Sequence, residues 1–123
     1  MIYGEVNSKL DAVVELQIVG PDGLEAHVDA IIDTGFSEHL TLPTSIVDSL
    51  NLPLFATTSV KLGDGSIIEA DVYRVRVKLG DQWTAVSMHQ SEGNILAGMA
   101  LLENTVLTIE VVRGGHVTVT TFD

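Results

Sequence analysis

The stretch AIIDTGFSEHLTLP, Ala30–Pro43, sets an acid and a glycine between two apolar runs. Reading back from Asp33, a strand that begins near Leu24 puts Val28, Ala30 and Ile32 on one face and Asp29, Ile31 and Asp33 on the other. Gly35 then permits a sharp reversal that a Cβ would resist. Asp33 therefore stands at a strand-to-turn junction with apolar neighbours, where burying a charge is costly without compensation. By itself Asp-Thr-Gly is also ordinary turn sequence, because aspartate side chains bond nearby backbone N–H groups. The rest of the chain has to decide between a turn and a chemical group.

Outward from this segment most of the chain reads in period two. AVVELQIVG (Ala12–Gly20) and YRVRVKL (Tyr73–Leu79) each alternate apolar with polar or outward residues, as a strand with one buried face does. The breaks are turn sequence: Gly20–Gly23, Gly63–Gly65, Gly80–Asp81 and Gly114–Gly115, each joining two runs that can pair as a hairpin. Two segments read as short helices. PTSIVDSLN (Pro43–Asn51) starts at Pro43 or Thr44 and ends before Pro53, and GMALLEN (Gly98–Asn104) supplies a turn or two. The fold class expected is all-β, a small barrel or sandwich with one or two short helices, over a single domain spanning 1–123.

The chain has 123 residues, 46% of them hydrophobic, enough to fill one core. Seventeen acids against six lysines and arginines give a net charge of -11 and no basic cluster, which argues against nucleic acid or an anionic membrane face as partners. Cysteine is absent, so disulfides, thiolate metal sites and cysteine nucleophiles are excluded. No apolar run approaches the ~18 residues of a membrane span. The first residues do not read as a signal peptide, so a cytoplasmic location is the expectation.

Three further segments stand in a telling order with IIDTG: LTLP (Leu40–Pro43), the hairpin SVKLGDGSIIEADVY (Ser59–Tyr73), and ILAGMALLE (Ile95–Glu103). In this order they resemble the retropepsin-like aspartic proteases of clan AA, and more narrowly the small bacterial members with a DTGF motif. The resemblance runs from about Val13 to Val119, and it narrows the fold to a small closed acid-protease barrel. It implies that Asp33 is the catalytic aspartate, that Thr34 hydrogen-bonds to its counterpart in a partner subunit, and that the Gly35 backbone approaches the carboxylate. Gly98, after Ile95, Leu96 and Ala97, matches the glycine that closes the ψ-shaped substructure around the site. The tip Leu62, Gly63, Asp64, Gly65 and Ser66, followed by Ile67, matches the flap, and Phe36, Leu62 and Ile67 are the expected apolar cleft lining.

The chemistry implied uses two carboxylates about 3 Å apart that share one proton, one activating water and the other donating to the scissile carbonyl. No metal or cofactor takes part. The sequence holds one Asp-Thr-Gly, so the second aspartate comes from an identical chain through a two-fold axis, giving a homodimer acting on a peptide or protein substrate. Phe36 departs from the alanine or serine common after this motif, and Asp64 replaces part of a glycine run at the flap tip, where it either deters acidic substrates or, the favoured reading, fixes a turn through its own backbone. The last segment, GGHVTVTTFD, reads as a final strand that either pairs between subunits or caps the barrel edge.

Other chemistries find less support. His27, His39, His89 and His116 lack metal-ligand spacing and read as surface or rim residues. Ser37 has no Gly-x-Ser-x-Gly elbow, and no phosphate-binding glycine loop occurs. Trp83 and Tyr73 lie in alternating strands and read as core or interface. The competing function is a non-catalytic dimeric binding or scaffolding module of the same fold, in which Asp33 serves turn geometry alone and tolerates asparagine.

Overall fold

The computed structural model describes residues 1–61 and 63–122. In chain order it contains β1 (Ile2–Val6), β2 (Ala12–Val19), β3 (Glu25–Ile32), β4 (Leu40–Leu42), α1 (Thr44–Ser49), β5 (Leu54–Lys61), β6 (Ile67–Leu79), β7 (Gln82–Gln90), β8 (Leu96–Ala97), α2 (Met99–Leu102), β9 (Thr105–Ile109) and β10 (His116–Thr121). All four expected hairpin turns join consecutive antiparallel strands, and both expected helices form.

The sheet follows the order β5-β6-β7-β4-β8-β3-β2-β1-β10-β9, and a further pairing of β6 with β2 bends it back on itself. Strands β6, β7, β4, β8, β3 and β2 thus form a closed ring, the small all-β barrel that the sequence predicts. The closure is short: Ile18 faces Val77 and Val19 faces Arg76. Outside the ring, β5 extends β6, while β1, β10 and β9 extend β2. The final strand β10 is flanked by β1 and β9, so the free ladder on that side of the sheet belongs to β9.

Period two explains the core. Val14, Leu16 and Ile18 of β2, Val28 and Ala30 of β3, Val75 and Val77 of β6, and Val86 and Met88 of β7 point inward, with Leu40 and Leu42 from β4. Burying a side chain of this size stabilises the fold by roughly 1.5–3 kcal/mol. Helix α1 closes one end with Val47, followed by Leu50 and Leu52, and α2 contributes Leu101 and Leu102. Pro43 gives α1 no side-chain cap, and Glu92 from the β7–β8 loop substitutes: its carboxylate accepts the Thr44 N–H at 3.0 Å and the Thr44 hydroxyl. Those bonds, the hydroxyl first, hold the Glu92 carboxyl below the usual glutamate range. Among the described residues no helix is long and apolar enough to cross a membrane.

Candidate active site

Asp33 directly follows β3, where a short parallel pairing and a short antiparallel one meet on β8. Ile31 and Ile32 pair with Leu96 and Ala97 of β8, and β8 is paired on its other side with Leu40 of β4. The two strands that flank the Asp33 loop thus clasp one central strand, the ψ-shaped arrangement expected around Gly98. The loop from Asp33 to His39 is then stitched to residues 97–100. Asp33 N–H donates to Ala97 O (3.0 Å), Gly98 N–H to His39 O (2.9 Å), Met99 N–H to Phe36 O (2.8 Å) and Ala100 N–H to Glu38 O (3.2 Å).

Gly98 is required by this close approach. A Cβ there would lie 2.1 Å from Glu38 O and 2.7 Å from Phe36 O, both backbone atoms. The Asp33 carboxylate is oriented from within the loop, since Oδ1 accepts the Gly35 N–H at 3.0 Å while Phe36 N–H donates to Asp33 O at 3.1 Å. This is the turn chemistry of Asp-Thr-Gly, and it leaves the second carboxylate oxygen outside that bond. Asp33 is half-buried, and Thr34 and Gly35 are exposed beside it.

A cleft of about 480 Å³ separates this loop from the β5–β6 hairpin. Its floor carries Gly35, Phe36 and Ser37, and its far wall carries Thr58 and Lys61 of β5 with Ile68 and Ala70 of β6. The hairpin therefore overhangs the Asp33 loop as a flap would. Phe36 is half-buried at this cleft and edge-on to His89, with ring centroids 6.4 Å apart and planes at 80°.

Ile67 does not line this cleft. Strand alternation turns it to the other face of β6, 69% exposed, and Ile68 takes the cleft side. Gly63, Asp64, Gly65 and Ser66 form the exposed tip, and Leu62 lies outside the described residues. At the tip the Asp64 carboxylate accepts the Ser66 hydroxyl at 2.6 Å and the Ser66 N–H at 2.9 Å. These bonds, the hydroxyl first, hold its carboxyl below the ordinary aspartate range and account for an acid at this position as turn chemistry. Leu96 is half-buried in β8, paired with Ile31, and its N–H donates to Thr41 Oγ1 at 2.9 Å.

Three polar residues of the cleft are not among the site residues that the sequence suggests: Thr41, His89 and Gln90. They come together because β4 pairs in parallel with β7, aligning Thr41 with His89 and Leu42 with Gln90 across a long stretch of chain. Gln90 is held by a directional chain of bonds. Tyr73 OH donates to Gln90 Oε1 (3.2 Å), Gln90 Nε2 donates to Thr44 Oγ1, and that hydroxyl donates to Glu92. His27 and His116 are exposed as expected of surface residues, but His39 and His89 are half-buried, each with an Nδ1 that is sealed from solvent and has no partner among the described residues. The cleft is consequently more polar than the expected lining of Phe36, Leu62 and Ile67. A second concavity, of about 680 Å³, lies over β1, β2 and β3 and includes Asp29 and Ile31, which share the Asp33 side of β3.

No known family profile matches the sequence, and no curated protein is detectably similar to it. Solved structures do match the fold. The EIAV protease complexed with the inhibitor HBY-793 superposes with a TM-score of 0.57 at 17% identity, over 79% of this chain and 89% of that one. A retropepsin-like aspartic protease from Rickettsia conorii superposes with a TM-score of 0.56 at 14% identity, over 98% of this chain and 90% of that one. With the closed ring, the clasped β8 strand and the overhanging hairpin, this chain has a retropepsin-like fold.

Proposed function

We infer that the chain is an aspartic endopeptidase that works as a homodimer, with Asp33 of each copy forming the catalytic pair. The observation that carries this reading is the Asp33 loop: one carboxylate oxygen held by the Gly35 N–H at 3.0 Å, on a turn stitched to Gly98 and facing a cleft beneath a hairpin. A second chain related by a two-fold axis supplies the other carboxylate, with exposed Thr34 beside the axis and the free ladder of β9 available for pairing between copies. One carboxylate then activates water as general base while the protonated one donates to the scissile carbonyl oxygen. The bound peptide lies extended under the flap, with Phe36 and Ile68 as its apolar contacts and Thr41, His89 and Gln90 as its polar ones. We read residues 1–123 as one domain for this purpose.

The test is cleavage of an unfolded protein by the wild type and by Asp33→Asn, across enzyme concentration and from acid to neutral pH. The wild type is expected to cut with a specific activity that rises with concentration, reflecting dimer assembly, and that falls away once both carboxylates are ionised. Asp33→Asn is expected to lose at least about a thousandfold. If neither protein cuts while both remain folded dimers, the proteolytic reading fails and the scaffolding module takes its place.

A further inference from the structure

Strand β6 carries its basic residues in one line. Arg74, Arg76 and Lys78 alternate with Val75 and Val77, which are buried, so the three cations stand on the outward side. They are half of the six lysines and arginines in a chain with seventeen acids. Among the described residues none of the three forms an ion pair, and across the ladder they face Ser87, Ala85 and Trp83 rather than acids. This is so although the chain carries seventeen carboxylates.

Beside Arg74 and Arg76 lies a cavity of about 340 Å³ walled by Val19, Pro21, Pro53 and Ala85. It shares no residue with the cleft beside Phe36. The Arg74 guanidinium stacks on Phe55, 4.1 Å from the ring centroid, and the Phe55 ring is itself 57% exposed. Stacking fixes the plane of a guanidinium while leaving its in-plane N–H groups free to take a carboxylate in a fork. The Arg74 backbone N–H donates to Pro53 O at 3.3 Å, which ties the cavity wall to the same strand.

We propose that this face of β6 is a docking site for an extended acidic peptide segment bearing an apolar side chain, with the apolar group in the cavity and carboxylates on Arg74 and Arg76. Charge complementarity selects this occupant, since Arg74 and Arg76, in line on β6, border an apolar pocket. Three positions at alternate residues span about 13 Å, the spacing that alternate side chains of an extended peptide also have. The net charge of the chain does not prevent the contact, because repulsion from distant acids is screened beyond ~8 Å at physiological salt while the pairs in contact are not.

The test is fluorescence anisotropy with a labelled heptapeptide of one leucine flanked by glutamates. It is titrated with the full chain carrying Asp33→Asn, so that the probe survives even if the wild type cuts it. Saturable binding is expected, weakened about tenfold or more when lysines replace the glutamates or serine replaces the leucine, and weakened by added salt. Arg74→Glu with Arg76→Glu should reverse the preference towards the lysine probe, which also shows that the variant is folded. Equal binding of the glutamate and lysine probes, no saturable binding, or a glutamate preference that survives the charge reversal would each overturn the proposal.

Discussion

The Asp33 loop and the β5–β6 hairpin face each other across one cleft, yet they are held in opposite ways. The loop is bound by four backbone hydrogen bonds to residues 97–100, and at Gly98 no space is left for even a methyl group. The hairpin projects from the barrel on its own ladder, with most of β5 and the first part of β6 exposed, and a Cβ built at Gly63 meets nothing within 4 Å. A site that needs a fixed carboxylate and an enclosing arm places its tight packing under the first and little under the second. Segments with few buried contacts are the ones that open and move most easily.

The sharpest way to break this contrast is a methyl group on each side. Gly98→Ala should lower stability by about 3 kcal/mol, because its Cβ meets carbonyl oxygens that are themselves hydrogen-bonded, whereas Gly63→Ala should stay within about 0.5 kcal/mol. Urea unfolding midpoints read both, and equal shifts would mean that the loop gives way as easily as the hairpin.

A smaller effect separates the two faces of the hairpin. Ile68→Ser removes an apolar contact in the cleft and should reduce kcat/KM on an unfolded protein substrate about tenfold, while Ile67→Ser should change it less than about twofold. A larger loss at Ile67 would show that the outer face of the hairpin meets substrate or the second copy.

The smallest effect is at the tip of the β5–β6 hairpin. The Asp64 carboxylate is favoured by its bonds to Ser66, so its folded-state value lies below the ordinary one. That ordering is fully present above the ordinary aspartate range and is lost as pH falls through the lowered value. The Ser66 amide signal in NMR should therefore shift between about pH 6 and about pH 2 and exchange faster at the acid end. Asp64→Asn should remove most of that titration, and a shift that persists in the variant would assign it to another group.

Much of this was legible in the chain itself. Arg74, Arg76 and Lys78 against Val75 and Val77 announced a strand with one buried face, the glycine pairs announced the hairpins, and Pro43 with Pro53 bracketed α1. The strand-to-turn position of Asp33 followed from the same alternation. Two adjacent isoleucines, Ile67 and Ile68, leave the alternation ambiguous in the sequence, and only the folded hairpin places Ile68 on the cleft.

Local residue pattern thus determined which segments are strands, where the chain turns, and that an acid stands at the end of β3. Periodicity reports which side chains share a face but not which face meets which partner. The ring closure between β2 and β6, the parallel pairing of β4 with β7 that brings His89 and Gln90 into the cleft, and the placing of β9 instead of β10 at the free edge were decided only by tertiary packing. These contacts join residues far apart in the chain, and their stability comes from burying both partners at once.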